Sequence, residues 1–145
     1  MSDLPKMVKR KKLLTVLSIA LPALVGMCLV AVSMHHGPGV GGDATIYLTT
    51  AKNLAGGFGL VLFEPDGGTR LLPYFPPFYP LLLSLFALIG FDLLQSAFWL
   101  NIVLFGSMLV IAGTVTLKLT KSILLSSLLS FALAVALLLA LRGQE

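Results

Sequence analysis

Asp43 is the residue in this sequence whose type and setting could support chemistry most directly. It opens a polar, glycine- and proline-rich stretch, 42–83, that lies between long apolar segments. A carboxylate at a water–lipid boundary can accept a proton from an attacking substrate hydroxyl that lies within hydrogen-bonding reach. An aspartate after glycine could instead cap a helix, because its side chain accepts backbone N–H groups. The two roles are compatible, since a carboxylate has more than one acceptor oxygen.

Weaker candidates for substrate binding follow along the same stretch, namely Tyr47, Arg70, Tyr74 and Tyr79. Arginine recognises phosphate well, although Arg70 in a polar loop could simply be solvated. Tyr74 and Tyr79 belong to a proline–aromatic run that could form an interfacial aromatic belt or a binding platform. No metal or cofactor site is predicted, because the two adjacent histidines lack further donors and the glycines lack a phosphate-binding pattern.

Composition places these residues in an integral membrane protein. Hydrophobic residues make up 57% of the 145 residues and charged residues only 11%, a balance typical of membrane chains. Segments 13–34, 93–117 and 122–141 are apolar and long enough to cross a hydrocarbon core, which needs about 20 residues. The net charge of +4 does not indicate nucleic-acid binding, because half of the basic residues cluster ahead of the first apolar segment.

That basic cluster also orients the chain. Its members are Lys6, Lys9, Arg10, Lys11 and Lys12. Basic flanks stay in the cytoplasm, so the pattern predicts a cytoplasmic amino terminus, 1–12, and an external loop, 35–92. A cleaved signal peptide is the alternative, because Ala31-Val32-Ser33 resembles a small-x-small cleavage site. The apolar segment is, however, longer than the roughly 7–15 residues of a signal-peptide core.

Two short interfacial helices are predicted inside the external loop, at about 43–55 and 77–90. Apolar residues recur there at helical spacing, and prolines suit the first turn of the second helix. Segment 78–89 is too short to cross a bilayer, so we expect three crossings, a cytoplasmic turn at 118–121 and an external tail at 142–145. If 78–89 did cross, Lys118 and Lys121 would be exported instead. The predicted fold class is all-α, with three transmembrane helices in a lipid bilayer and a brief extended piece at 60–63.

The order of residues from Gly42 onward resembles the first external loop of the GT-C superfamily. These are polytopic glycosyltransferases of the protein-mannosyltransferase and aminoarabinose-transferase type. The pattern is GD-A-x-x-Y-x-x-x-A-x-N-L-x-x-G-x-G-L, then a variable stretch ending in FPPFYPLLLSLFALIG. The later segment WLNIVLFGSMLVIAGTVTLKLT is similar to the next span of bacterial members. The resemblance covers about residues 41–141.

The resemblance implies an activity and its partners. Such enzymes take a sugar from a polyprenyl-phosphate carrier and attach it to an acceptor on the outer face of the membrane, here a bacterial plasma (inner) membrane. The carboxylate that opens the first external loop helps to activate the acceptor, which implies this role for Asp43. Many relatives carry a second acidic residue beside it, where this chain has Ala44. That difference favours metal-independent base or electrostatic catalysis.

Length departs from the resemblance, because members have many more spans than this chain. We therefore expect an amino-terminal fragment that is inactive alone. A second class of function stays open, in which the chain is a small non-enzymatic membrane protein with a packing or partner-binding role and Asp43 only caps a helix. A transporter is less favoured, because the spans lack the intramembrane charges that mark a transport pathway.

Overall fold

A computed structural model describes residues 4–34, 42–63, 67–71 and 75–142. These ranges hold five helices and one antiparallel hairpin. The elements are α1 (Leu4–Ser33), α2 (Gly42–Ala55), β1 (Val61–Phe63), β2 (Thr69–Leu71), α3 (Phe78–Leu88), α4 (Leu93–Thr120) and α5 (Ile123–Arg142). The chain divides into two compact units. The first joins Met1–Ser33 to Asn101–Glu145, and the second is Met34–Leu100.

The predicted helices are observed with small differences in their limits. α1 begins at Leu4, so the basic residues ahead of Leu13 belong to the same helix as the apolar segment. α4 continues to Thr120, beyond the predicted end at residue 117. The all-α prediction was incomplete, because β2 pairs with β1 in the register Leu62 opposite Arg70. The sequence showed only the first of these strands.

Two helices are long and apolar enough to cross a membrane, α1 from Met7 to Ser33 and α4. Within the described side chains, the apolar part of α5 covers Ile123–Leu137 and is shorter than that requirement. Only 22% of the residues in the apolar windows of α1 and α4 are buried, whereas the core helix of a soluble protein is mostly buried. These two helices are therefore compatible with a bilayer, and the third crossing stays a prediction.

The first unit is a helical bundle whose interior contains several small residues. Ala23 of α1, Leu109 of α4 and Ala134 of α5 form its buried centre. Ser126 and Ser130 of α5 are also fully buried. Small interfacial residues let helix backbones approach closely, which is the usual basis of helix association in lipid.

Large apolar side chains of this unit lie on the outside of the bundle. They include Leu13, Leu17, Leu21, Leu24, Val32, Val103, Ile111, Val115, Leu124, Leu128 and Val135, all exposed. In water such a surface would be strongly unfavourable, since each buried methylene contributes about 0.8 kcal/mol. Hydrocarbon removes that penalty, so the distribution fits a bundle that has lipid around it.

Close contacts at glycines fix the directions of the three helices. A Cβ added at Gly113 would lie 3.5 Å from Ile19 and 2.9 Å from Ser130 Oγ, and one at Gly106 would lie 2.6 Å from Met27 Sδ. As the residue number rises along α1, from Ile19 to Met27, the number of the contacted residue on α4 falls, from Gly113 to Gly106. These two helices are therefore antiparallel. Ser126 Oγ donates a 2.7 Å hydrogen bond to Gly113 O, and Ser130 meets the preceding turn of α4. α5 is therefore antiparallel to α4 and parallel to α1.

A short turn joins α4 to α5. Lys121 adopts a positive φ of 54° there, which is uncommon for a residue other than glycine. Its N–H still bonds to Leu117 O at 2.8 Å. Ser122 then starts α5, since its Oγ accepts a 3.3 Å hydrogen bond from Leu125 N. The two-residue connection explains why α5 folds straight back along α4.

Candidate functional site

Asp43 lies at the start of α2 in the second unit. It is the second residue of that helix, in the first turn, and its side chain is exposed. A carboxylate in the first helical turn is stabilised by the positive end of the helix dipole. The structure thus supplies a solvent-facing carboxylate on an ordered helix end.

One turn further along α2, Tyr47 joins an aromatic cluster with Phe75 and Tyr79. The Tyr47 ring centroid lies 5.5 Å from that of Phe75, with an interplanar angle of 87°. It lies 5.5 Å from the Tyr79 centroid, at 78°. Both are edge-to-face arrangements within the range that aromatic pairs prefer. The predicted substrate-binding residues Tyr47 and Tyr79 therefore meet, across the boundary between α2 and α3.

The aromatic cluster is supported by the apolar core of the second unit. Ala51 of α2, Leu83 of α3 and Ala97 in the first turns of α4 are buried together. Leu48, Tyr79, Leu93 and Leu100 pack around them. Ala51 lies one turn beyond Tyr47 and Leu83 one turn beyond Tyr79, so the same two helix faces that bury the core also carry the cluster.

The glycine-rich turn after α2 is held by Asn53. Its Nδ2 donates a 2.7 Å hydrogen bond to Val61 O, at the start of β1. Its own carbonyl accepts a 2.9 Å bond from Phe58 N. Gly57 and Gly59 have φ values of 83° and 81°, which glycine adopts without a steric cost. The Asn53 side chain is buried where it joins α2 to the hairpin.

The remaining two predicted binding residues do not join the aromatic cluster. Arg70 lies on β2, with an exposed side chain that already takes part in an interaction. The hairpin register places it opposite Leu62. Tyr74 lies outside the described residues, so its role in substrate binding stays a prediction. Of the four weaker candidates, the structure brings together Tyr47 and Tyr79.

A pocket of about 230 Å³ lies at the turn between α3 and α4, and sequence reasoning missed it. Its lining comprises Phe86, Phe91, Asp92, Gln95, Ser96 and Trp99. The turn is a Schellman motif, with Phe91 N bonded to Phe86 O and Gly90 N bonded to Ala87 O, both at 3.0 Å. Asp92 then caps α4, since its Oδ1 accepts a 2.8 Å bond from Gln95 N. In the sequence, Gly90 indicates the Schellman turn, and Asp92 followed three residues later by Gln95 indicates the helix cap.

The arrangement offers an exposed carboxylate one helical turn from a fixed aromatic surface. The carboxylate can accept a proton, and the ring faces and edges can contact a sugar or an isoprenoid tail. Among the described residues, no group of three or more His, Cys, Asp or Glu side chains could hold a metal ion. No protein-family model matches the chain, and no curated protein or solved structure is similar to it at a significant level.

Proposed function

We propose that this chain supplies the carboxylate-bearing part of a membrane glycosyltransferase that uses a polyprenyl-phosphate-linked sugar. The observation that carries the proposal is the placement of Asp43 in the exposed first turn of α2. The next turn of that helix is fixed through Tyr47 by Phe75 and Tyr79. Catalysis of this kind needs a proton acceptor held in place by rigid surroundings. Asp43 and the order of the loop motifs both support the assignment.

The proposed step is a displacement at the anomeric carbon of the sugar. The acceptor hydroxyl attacks that carbon and transfers its proton to the Asp43 carboxylate. The bond between the carbon and the phosphate oxygen breaks, and the polyprenyl phosphate leaves with the electron pair. A new bond joins the acceptor oxygen to the sugar. Tyr47 and Tyr79 present the aromatic surface beside which the sugar or the first isoprene units would lie.

The proposed topology has three crossings and a cytoplasmic amino terminus. At about 1.5 Å per residue, segments 13–34, 93–117 and 122–141 are about 30–38 Å long, enough to cross a hydrocarbon core of about 30 Å. α3 is about 16 Å long by the same rise, too short to cross. The bundle directions place Lys118 and Lys121 at the same end as the amino-terminal lysines, as the positive-inside rule favours. Asp43 would then face the non-cytoplasmic side of a bacterial inner membrane.

Sugar transfer by membranes that contain this chain as part of a longer protein with further spans tests the proposal. A radiolabelled sugar on a synthetic polyprenyl phosphate serves as donor, and label is followed into extracted acceptor fractions. We expect Asp43→Asn to lower the rate about 10²–10⁴-fold, the usual loss when a general base is removed. Lys52→Gln is the matched control, because Lys52 is an exposed charge on the same helix, about two and a half turns away. Transfer at the wild-type rate by Asp43→Asn would remove the carboxylate from the mechanism.

The same geometry favours one competing function, a non-enzymatic packing role. A carboxylate in the first turn stabilises α2 without any substrate, and the Tyr47 ring is already engaged by two neighbours. On this alternative, wild-type membranes would transfer no more label than membranes without the protein. Asp43→Asn would then lower only thermal stability, by at most about 1 kcal/mol.

A further inference from the structure

We infer that the lysine-bearing end of the first unit is a binding surface for anionic phospholipid headgroups. Its cations come from two places that are far apart in sequence. Lys9, Arg10, Lys11 and Lys12 lie on the first turns of α1, and Lys118 and Lys121 lie at the turn between α4 and α5. We call these six residues the basic end. The inference concerns the opposite end of the bundle from the one that leads to Asp43, so it is independent of the proposed sugar transfer.

The contacts inside the bundle bring the two groups to one level. Ile19 of α1 lies beside Gly113 of α4. This contact gives a common reference point for distances along both helices. Lys12 lies seven residues before Ile19, about 10 Å further along α1. Lys121 lies eight residues after Gly113, about 12 Å further in the same direction, because the helices are antiparallel. The two basic segments are far apart in sequence, but the helix packing places them at a similar distance along the bundle axis from the Ile19–Gly113 contact.

Among the described residues of the first unit, no acidic side chain accompanies the charge at the basic end. All six side chains are exposed. The described residues include two acidic side chains, Asp43 and Asp92, and both belong to the second unit. Six like charges at one level repel each other, so an anionic ligand at that level is stabilised by several of them together.

The turn at Lys121 does not require a lysine side chain. Its φ of 54° is a conformation in which glycine fits without steric cost and a lysine does not. The turn itself is made by backbone and hydroxyl groups, since Ser122 N bonds to Thr120 Oγ1 at 3.2 Å and Lys121 N bonds to Leu117 O at 2.8 Å. No side-chain atom of Lys121 contributes to these bonds. Glycine would therefore serve the turn better, and lysine adds an ammonium group.

The ligand class follows from the surroundings of this surface. Exposed Leu13 and Leu14 follow Lys12 directly, and exposed Leu119 stands between the other two lysines. The cations thus border an apolar surface, as they would at the level of lipid headgroups. Basic clusters beside a membrane helix attract anionic phospholipids. A phospholipid with a net negative headgroup matches both the charge and the apolar border.

The test compares phosphatidylglycerol with phosphatidylcholine on the purified full chain in mild detergent. The readout is the lipid concentration that gives half of the maximal rise in thermal midpoint. We expect phosphatidylglycerol to act at far lower concentration than phosphatidylcholine and its effect to weaken with salt. Lys121→Gly should weaken the phosphatidylglycerol response about fivefold, the equivalent of about 1 kcal/mol per lysine. Its midpoint without lipid should be unchanged or higher, because glycine suits the turn.

Two further variants make the result specific. Lys118→Gln with Lys121→Gln should weaken the response about 25-fold and keeps both side chains long, so that folding is preserved. Lys52→Gln, which removes one charge from the second unit, should leave the response unchanged. Equal responses to the two lipids in the wild type would overturn the inference. The inference would also be overturned if Lys52→Gln weakened the phosphatidylglycerol response as much as Lys121→Gly does. The same holds if inorganic phosphate raised the thermal midpoint as strongly as phosphatidylglycerol.

Discussion

Replacement of Gly26 by larger residues should separate α1 from α4. A Cβ at this position would collide with Leu109 Cδ1 and lie 3.0 Å from Phe105 Cε1. Leu109 is fully buried, between Ala23 and Ala134, so it cannot rotate away. Alanine gains about 1 kcal/mol in helix propensity, but overpacking costs about 1–3 kcal/mol. We expect a net loss of about 1 kcal/mol for Gly26→Ala and about 2 kcal/mol for Gly26→Leu.

The assay is the thermal midpoint of the purified protein in detergent, followed by size-exclusion chromatography after heating. A loss of 1 kcal/mol corresponds to about 4 °C for a chain of this size. Gly42 provides the matched series, because it is also helical and a Cβ there would meet nothing within 4 Å. Its alanine and leucine variants should be neutral or slightly stabilising. If the Gly26 series rose in stability like the Gly42 series, the close approach of α1 and α4 would be refuted.

Further predictions concern the second unit. Asn53→Ala should cost about 1 kcal/mol, because the part-buried Val61 carbonyl loses its side-chain donor; faster proteolysis within residues 56–60 would show this, and wild-type resistance would contradict it. Gly90→Ala should cost about 1–2 kcal/mol, since φ is 86° there; an unchanged thermal midpoint would count against the Schellman turn. Tyr47→Phe should keep both ring contacts and stability, whereas Tyr47→Ala should lose about 1–3 kcal/mol; equal midpoints would argue against the aromatic cluster.

Helix positions were predictable because hydropathy and capping residues mark them directly. The limits of α2 and α3 follow from Gly42 and the following glycines, and from the prolines ahead of Phe78. The directions of the bundle helices were not predictable. α1, α4 and α5 are apolar on every face, so periodicity could not show which side packs. The close approach at Gly26, Gly106 and Gly113 decides it, and glycine in an apolar helix does not reveal its partner.

The candidate site was predicted in part for a similar reason. Asp43 stands out in sequence because acidic residues are rare, and the aromatic residues stand out because they cluster. Contact between Tyr47 and Tyr79 depends on how α2 packs on α3, a long-range pairing that no local pattern encodes. The burial of Asn53 was missed because asparagine near a helix end is more often exposed. Its bond to Val61 depends on where the hairpin returns.

Accessibility labelling tests most directly whether Asp43 and the basic end lie on opposite sides of the membrane. Cys28, the one cysteine of the sequence, is replaced by serine, and single cysteines are placed at Asp43 or Lys121. Intact spheroplasts are then treated with a membrane-impermeant maleimide. We expect immediate labelling of Asp43→Cys, and labelling of Lys121→Cys only after permeabilisation. The reverse pattern, or equal labelling of both in intact spheroplasts, would contradict the topology and the proposed sugar transfer with it.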